Sequence, residues 1–331
     1  MSRVALIGDV MLGRLVDDYM ETNDDPCYVW GDAREIIQEC ELAICNLECV
    51  IADSGSPWHE TTKEFHFRSH AKNIDVLACA GIDAVTLANN HSLDFGVTAL
   101  SDMLSDLNKT HIRHVGAGES SEEAMCPVIL KAGNTNVGLL SFTDGMPEWA
   151  ANDDHAGIYY VPADPSSPHW QKLLEKVQQT RARSDFLIIS PHWGPNWGYD
   201  VEPIYLTWAH SLIDAGADMI FGHSGHVPRG IEIYKHRPII YSAGDFIDDY
   251  AISDEEPNDE GFVYVLELDD THPVALQLHP TIIKNYQAQL AGSRAPRIAH
   301  QLLRLSEEFG TTGNFDPNSQ TVTIPIRKNQ P

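Results

Sequence analysis

Six short stretches of this 331-residue chain carry side chains that bind metal ions or move protons: Asp9, Glu48, Asn89-Asn90-His91, His192, His223-Ser224-Gly225-His226 and Asp245. Their donors are carboxylate, carboxamide and imidazole, a set that suits Mn²⁺, Fe or Zn²⁺, and no cysteine stands among them to favour a thiolate site. A carboxylate such as Glu48 can bridge two cations through its two oxygens. Two cations roughly 3.5–4 Å apart can clamp the attacking and leaving oxygens of a hydrolysis. An imidazole that is not a ligand can then protonate the leaving group. His91 has that position, directly after Asn90, with Asp94 three residues on as the partner that would orient it. Taken singly, each group has a plain structural reading. Asp9 could be a turn or helix cap, Glu48 a loop carboxylate, Asn89-Asn90 a turn, and His192 a hydrogen-bonded histidine. The histidine pair is the stronger signal, because two imidazoles three residues apart in a Gly-flanked loop can converge without a helix.

What favours chemistry is where these residues stand relative to the strands. Short aliphatic runs recur over Val4–Ile7, Leu42–Cys45, Ala84–Leu87, Val137–Phe142, Phe186–Ile189, Met219–Phe221, Ile239–Tyr241 and Phe262–Leu268. Several are nearly continuous rather than alternating, as expected of strands covered on both faces. Helical patterns lie between them, over Ala33–Cys40, Lys72–Cys79, Gly96–Leu107, Trp170–Arg181 and Ile204–Ala215, the last stopped by Gly216. This alternation predicts a layered α/β domain. A late helix over Pro296–Phe309 and a strand or arm over Thr321–Ile326 follow. Each candidate ligand follows one of the strands, and the carboxyl ends of strands face the ligand crevice in open α/β sheets. Six strands therefore deliver metal-capable groups to one edge.

Gly8-Asp9, Asn46-Leu47-Glu48, Asn89-Asn90-His91, His192-Trp193-Gly194 and Gly222-His223-Ser224-Gly225-His226 resemble the motifs of the CapA family of capsule or poly-gamma-glutamate synthesis proteins. That family is a branch of the calcineurin-like metallophosphatase superfamily, and the match runs in order from residue 4 to about 268. The resemblance implies a four-layer α/β/β/α sandwich over residues 1–290, with residues 291–331 forming a C-terminal helix and arm packed on the same domain. It also implies two divalent metal ions (Mn, Fe or Zn). Asp9 and His226 would serve the first ion, Asn90, His192 and His223 the second, Glu48 would bridge, and His91 would be the general acid. The chain departs from the superfamily in having Met11 where a histidine usually stands, which leaves the first site one ligand short. The histidine pair is separated by two residues rather than one, and Gly225 stands where proline is usual. Gly244-Asp245-Phe246 replaces the common Gly-Asn-Phe, so Asp245 adds a carboxylate near the site or belongs to a polar loop.

Other residues are candidates for holding a substrate. Arg14, Arg68 and Arg229 carry guanidinium forks that fit phosphate or carboxylate, with surface salt bridges as the alternative. Trp193, Trp197 and Tyr199 form either a substrate wall or ordinary packing, and with Arg14, Arg68, Trp193 and Asp245 the expected substrate is a small anion. The formal net charge of −26, from 48 acidic and 22 basic residues, repels nucleic acid and anionic membranes and polymers alike. The acidic runs Asp248-Asp249 and Asp254 to Glu260 read as solvated loop. No apolar stretch is long enough to span a membrane, and the start of the chain does not resemble a signal peptide, so a cytoplasmic location is expected. None of the six cysteines forms a CxxC pair, and they are expected to be buried, reduced thiols.

Overall fold

Continuous apolar runs become strands here because both of their faces are covered. In the computed structural model, which describes residues 1–326, Ser2–Val10 is buried from Val4 onward and Leu42–Leu47 throughout. The first sheet has ten strands. Its main path runs Asn314–Asp316, Thr321–Pro325, His272–Lys284, Glu260–Asp269, Ser2–Val10, Leu42–Leu47, Ala84–Thr86 and Arg113–Val115. The last four run parallel to one another, whereas Glu260–Asp269 is antiparallel to Ser2–Val10. The short strand Asp245–Ile247 adds to the end of Ser2–Val10 in parallel. The second sheet has six strands in the order Ile231–Tyr234, Arg237–Ile240, Met219–Phe221, Phe186–His192, Thr135–Thr143 and Val128–Ala132, parallel through its centre.

The period of two along each strand divides the core into three apolar layers. Val4, Leu6, Leu42 and Ile44 face Leu139, Phe186, Ile188 and Phe221 between the sheets. Ala5, Ile7, Ala43 and Cys45 turn the other way, onto the helices Arg14–Thr22, Ala33–Gln38, Ile74–Ala80 and Gly96–Lys109. Leu140, Phe142, Leu187 and Ile189 of the second sheet turn onto Pro168–Arg181 and Pro203–Ala215. The result is the α/β/β/α sandwich expected from the sequence. Each predicted helix is present within a few residues of its expected ends, and Gly216, at φ 126°, ends Pro203–Ala215. The late helix, Ala295–Glu307, packs its apolar side into the layer between the sheets, and Thr321–Pro325 pairs with His272–Lys284. Asn314–Asp316 and Thr321–Pro325 are thus strands of the first sheet, and residues 327–331 of the expected C-terminal arm lie outside the described residues. Among the described residues, no helix is long and apolar enough to cross a membrane.

Three expectations are corrected. Cys27 and Cys79 form a disulfide, because the Tyr28–Trp30 turn packs on the helix that carries Cys79, with Trp30 Nε1 donating to Val76 O at 2.8 Å. Of the free thiols, Cys45 and Cys49 are buried, Cys40 is half-buried and Cys126 is exposed. The acidic runs are not wholly solvated either. Asp249 pairs with Arg14, Asp259 and Glu260 pair with Arg294, and Glu260 also meets Arg297, while Asp254 and Glu255 remain exposed. Finally, the longest strand, His272–Lys284, has no counterpart among the predicted runs. It contains Pro273 and Pro280, which argue against a central strand. Pro273 is accommodated where the register shifts against Glu267 and Leu268, and Pro280 falls between the stretches paired with Thr321–Pro325 and with Gln287–Leu290.

Candidate metal centre

The strands of both sheets end at one cluster of buried polar side chains. At Gly8 the register of the first strand shifts, leaving Asp9 opposite Asn46 on one side and Asp245 on the other. A glycine is needed there: a Cβ on residue 8 would lie 2.1 Å from Gly244 O. That close approach lets Asp9 N–H donate to Gly244 O at 3.1 Å and sets the two carboxylates side by side. Asn46 donates from Nδ2 to Asp9 Oδ1 at 2.7 Å, and its Oδ1 accepts from Thr86 Oγ1 at 3.0 Å and from Asn89 Nδ2 at 3.1 Å. Asn89 Oδ1 in turn accepts the backbone N–H of His91 at 3.0 Å. A buried amide relay therefore ties the ends of three strands together and fixes the turn that carries Asn90 and His91. Glu48 is held by its own N–H, which donates to Val10 O at 2.9 Å.

From the second sheet, His192 ends the strand Phe186–His192 and forms a bridge to His223 just past Met219–Phe221. Ser190 Oγ and His223 Nε2 are hydrogen-bonded at 2.6 Å, which leaves His223 Nδ1 facing Asp9 Oδ1 at 3.7 Å. Ser224, between the two histidines, has φ 95° and donates from Oγ to Gly194 O at 3.1 Å, an uncommon conformation for a residue with a side chain. His226 Nδ1 donates to Asp245 Oδ1 at 2.9 Å, so its Nε2 points elsewhere.

The donor set fits metal ions on an observation independent of any resemblance. Asp9 Oδ2, Glu48 Oε2, Asn90 Oδ1, His192 Nδ1, His223 Nδ1 and Asp245 Oδ2 are all buried and have no hydrogen-bond partner among the described residues. Buried polar atoms are otherwise almost always paired, so six orphans in one cluster mark places for a ligand. Asp9, Glu48 and Asp245 also offer oxygens within 4.8 Å of one another. Without a cation, burial pushes Asp9 up to about 6 and raises Glu48 and Asp245 well above the carboxylate range, with Asp9 and Asp245 adding to the rise of Glu48 and Asp9 adding to that of Asp245. Burial pushes His223 down to about 3 and lowers His192 and His226, keeping these imidazoles neutral as a metal ligand must be.

His91 is not among the orphans. Its Nδ1 donates to Asp94 Oδ2 at 2.6 Å and its ring stacks on Phe67 with centroids 3.9 Å apart. Nε2 is thereby turned toward the cluster, 3.8 Å from Glu48 Oε1. Asp94 is fixed from three sides: besides His91, it accepts the Phe67 N–H at 2.7 Å and pairs with Lys63 Nζ at 3.1 Å. Burial raises Asp94 to about 7, and burial together with the Lys63 ammonium lowers His91 well below its ordinary value. Lys63 also donates to Asn90 O at 2.7 Å, so one cation braces both the dyad and the turn beside it. Nothing in the local pattern around Lys63 singles it out, since the loop from Asp53 to Phe67 has no periodicity. Asn46 and Ser190 are likewise absent from the predicted site; Asn46, two residues before Glu48, was the legible one.

The residues expected to hold a substrate separate into three groups. Arg14 is partly exposed, pairs with Asp249 at 3.1 Å and lies over Phe67 and Tyr250 with its guanidinium carbon 5.5 and 5.9 Å from their centroids. Arg68 lies 4.3 Å over the Phe95 ring. Arg14 thus stands over the ring on which His91 stacks, and Arg68 meets Phe95 instead. Trp193 does not line it: it is buried among Phe142, Tyr205, Trp208 and Tyr241 and donates to Tyr241 O at 3.0 Å, so ordinary packing is what this ring does. Of its two expected companions, Trp197 is exposed beside His226, with ring centroids 5.0 Å apart, while Tyr199 is half-buried near Glu260 and Gln301. Arg229 makes no salt bridge among the described residues; it is buried and donates to Pro195 O, Trp197 O and Gly198 O, clamping the loop after His192. Asp245 lies inside the cluster rather than at its rim, 1% exposed.

Known proteins resemble this chain in sequence and in fold. The family model described as bacterial capsule synthesis protein PGA_cap matches residues 3–250. A probable polyglutamine synthesis accessory protein of Mycobacterium tuberculosis is 30% identical, over 97% of this chain and 96% of that protein. The PGA biosynthesis protein CapA of Bacillus subtilis is 28% identical, over 74% of this chain and 63% of that protein. Among solved structures, a Staphylococcus aureus protein described as a candidate 5′-nucleotidase superposes with a TM-score of 0.50 at 16% identity, over 87% of this chain and 54% of that one, a likeness of fold.

Proposed function

This chain belongs to the PGA_cap family of bacterial capsule synthesis proteins, and on that premise we propose that it is a metal-dependent hydrolase acting on a phosphoester or amide bond of a small anionic substrate. Asp9 and His226 would hold one divalent ion, Asn90, His192 and His223 another, and Glu48 would serve both. Cations there, Mn, Fe or Zn, supply Lewis acidity and lower the pKa of water. The single observation that carries this reading is the set of six buried donor atoms without partners, delivered from strands of both sheets to one place.

The remaining steps fall to the chain's own side chains. His91, held through Nδ1 by Asp94, presents Nε2 to the site. In its neutral form that nitrogen accepts a proton. In the cationic form, which an anionic substrate favours, it donates the proton to the leaving oxygen or nitrogen, while Asp94 stabilises the imidazolium. Lys63 keeps Asp94 in place, and Phe67 fixes the plane of the ring. Arg14 and Arg68 supply positive charge for the substrate's anionic group, which the net charge of −26 would otherwise repel.

A second reading, a non-catalytic accessory protein in poly-gamma-glutamate or capsule polymer synthesis, takes support from the name of the Mycobacterium tuberculosis relative. Assay against a panel of phosphoesters and gamma-glutamyl amides with added Mn²⁺ separates the two. Turnover that is lost on chelation supports the hydrolase. Metal binding with no turnover on any member of the panel supports the accessory role.

A further inference from the structure

We infer that the hydroxyl of Tyr250 is a substrate-binding group, donating a hydrogen bond to an anionic oxygen of the substrate held at the metal centre. The inference rests on the two-ion reading above and adds to it a residue that none of the motifs includes.

The backbone carries Tyr250 to the cluster. Asp245–Ile247 is paired with the end of Ser2–Val10, and Ile247 O accepts the Met11 N–H at 2.8 Å, so the chain leaves that strand close to Asp9. The Tyr250 N–H then donates to Asp248 Oδ1 at 2.9 Å, a turn closed by the aspartate side chain. Asp249, between the two, holds Arg14 Nε and the Leu15 N–H, each at 3.1 Å. The tyrosine ring meets His226 edge-on, with centroids 5.2 Å apart and planes at 77°. It also lies 5.6 Å from Phe67, the ring on which His91 stacks. It therefore borders the cluster on the side where His91 and His226 both stand.

The state of the hydroxyl singles it out. The residue is half-buried, yet its phenol oxygen is buried and has no hydrogen-bond partner among the described residues. A buried tyrosine O–H usually finds one. Burial, and then the carboxylates of Glu48, Asp245, Asp248 and Asp9, hold this phenol well above its ordinary value. All four are near enough to act on the hydroxyl, but none comes within hydrogen-bonding distance, so they surround it without satisfying it. A protonated phenol so placed is a donor, and the acceptor it suits is a negatively charged oxygen that enters from outside, phosphoryl or carboxylate. Arg14 supplies positive charge on the same side, its guanidinium carbon 5.9 Å from the Tyr250 centroid and 5.5 Å from that of Phe67.

The test compares wild type with Tyr250→Phe, which removes the hydroxyl and keeps the ring against His226 and Phe67. Both are loaded with Mn²⁺ and titrated calorimetrically with inorganic phosphate and, separately, with glutamate, the first standing for a phosphoester product and the second for an amide product. Wild type is expected to bind at least one of the two anions. Tyr250→Phe is expected to take up Mn²⁺ as wild type does and to bind that anion about 10–100-fold more weakly, the effect of losing one hydrogen bond to a charged group. The anion that shows the loss distinguishes a phosphoester substrate from an amide. Metal-free Tyr250→Phe is expected to unfold no earlier than metal-free wild type, because a hydroxyl without a partner leaves none behind. Unchanged anion affinity in Tyr250→Phe overturns the inference, as does wild type that takes up Mn²⁺ but binds neither anion. Weaker Mn²⁺ binding by Tyr250→Phe also overturns it, since the phenol would then be a metal ligand, and earlier unfolding would make the hydroxyl a structural donor instead. Wild type that takes up no Mn²⁺ overturns the two-ion reading, and the inference with it. Should Tyr250→Phe fail to fold, wild-type crystals grown with Mn²⁺ and the anion that binds decide. An anion oxygen about 2.5–3.0 Å from the Tyr250 hydroxyl supports the assignment, and an anion bound at the centre with that hydroxyl beyond about 3.5 Å contradicts it.

Discussion

Replacing His91 by alanine separates proton transfer from metal binding. The imidazole is 6% exposed, its Nδ1 donates to Asp94, and its Nε2 comes no nearer than 3.8 Å to Glu48 Oε1. Its removal therefore takes away no partnerless donor atom, and Asp94 keeps the Phe67 N–H and Lys63. Bound metal is expected to stay at the wild-type level. Turnover on substrates with poor leaving groups is expected to fall by about 10²–10⁴, or roughly 3–5 kcal/mol in activation free energy at 1.36 kcal/mol per decade. On nitrophenolate esters, whose leaving group needs no proton, the loss is expected to shrink to a small factor. The assay is steady-state kinetics on a matched pair of activated and unactivated esters, with metal content measured on the same samples. Equal losses on both esters, or loss of metal, would refute the role given to His91.

Other consequences can be checked separately. His192→Ala and His223→Ala each remove a buried partnerless nitrogen, so metal content and activity are expected to fall together while circular dichroism is unchanged; full occupancy in either variant removes that residue from the ligand set. The stabilisation conferred by saturating Mn²⁺ is expected to grow from pH 5 to pH 7. Asp9, raised from 3.8 to about 6, holds a proton in the folded metal-free chain that the unfolded chain has already released. That proton favours the folded state at low pH, by about 3 kcal/mol for Asp9 alone, and the benefit is lost as the pH rises through 6. Metal must displace it, so a thermal shift with Mn²⁺ that is flat or falls over this range contradicts the buried-carboxylate picture. Alkylation of unreduced, unfolded protein is expected to label four of the six cysteines, the Cys27–Cys79 pair staying protected. Closing a loop of 52 residues stabilises the chain by up to about 4 kcal/mol through the entropy of the unfolded state, so Cys27→Ala is expected to lower the unfolding midpoint; six labelled thiols would refute the pairing.

Strand ends were the most legible part of this chain, because a buried strand is a continuous aliphatic run and the polar residue that ends it stands out. Asp9 after Val4–Ile7 and His192 after Phe186–Ile189 were identifiable for that reason, and Asp94 three residues beyond His91 was close enough in sequence to be paired with it. Long-range pairing left no such mark. Asp249 finds Arg14 across 235 residues and Asp259 finds Arg294 across 35, so acidic runs that look solvated along the chain are partly neutralised in the fold. Cys27 and Cys79 are 52 residues apart and meet only because one turn packs on one helix. Trp193 adjoins His192 in sequence, yet consecutive residues of an extended chain point to opposite faces, so the histidine reaches the site and the tryptophan reaches the core. Asp245 was ambiguous because its neighbours in sequence are those of a loop, whereas its partner is Asp9, 236 positions away in the numbering.

The metal content of the protein itself bears most directly on the proposed chemistry. Chain purified without chelator, dialysed against excess Mn²⁺, Fe²⁺ or Zn²⁺ and measured by elemental analysis against protein concentration is expected to hold two ions per chain with at least one of these metals. Protein that remains metal-free in excess of all three would contradict the site, and with it the proposal that this chain is a hydrolase.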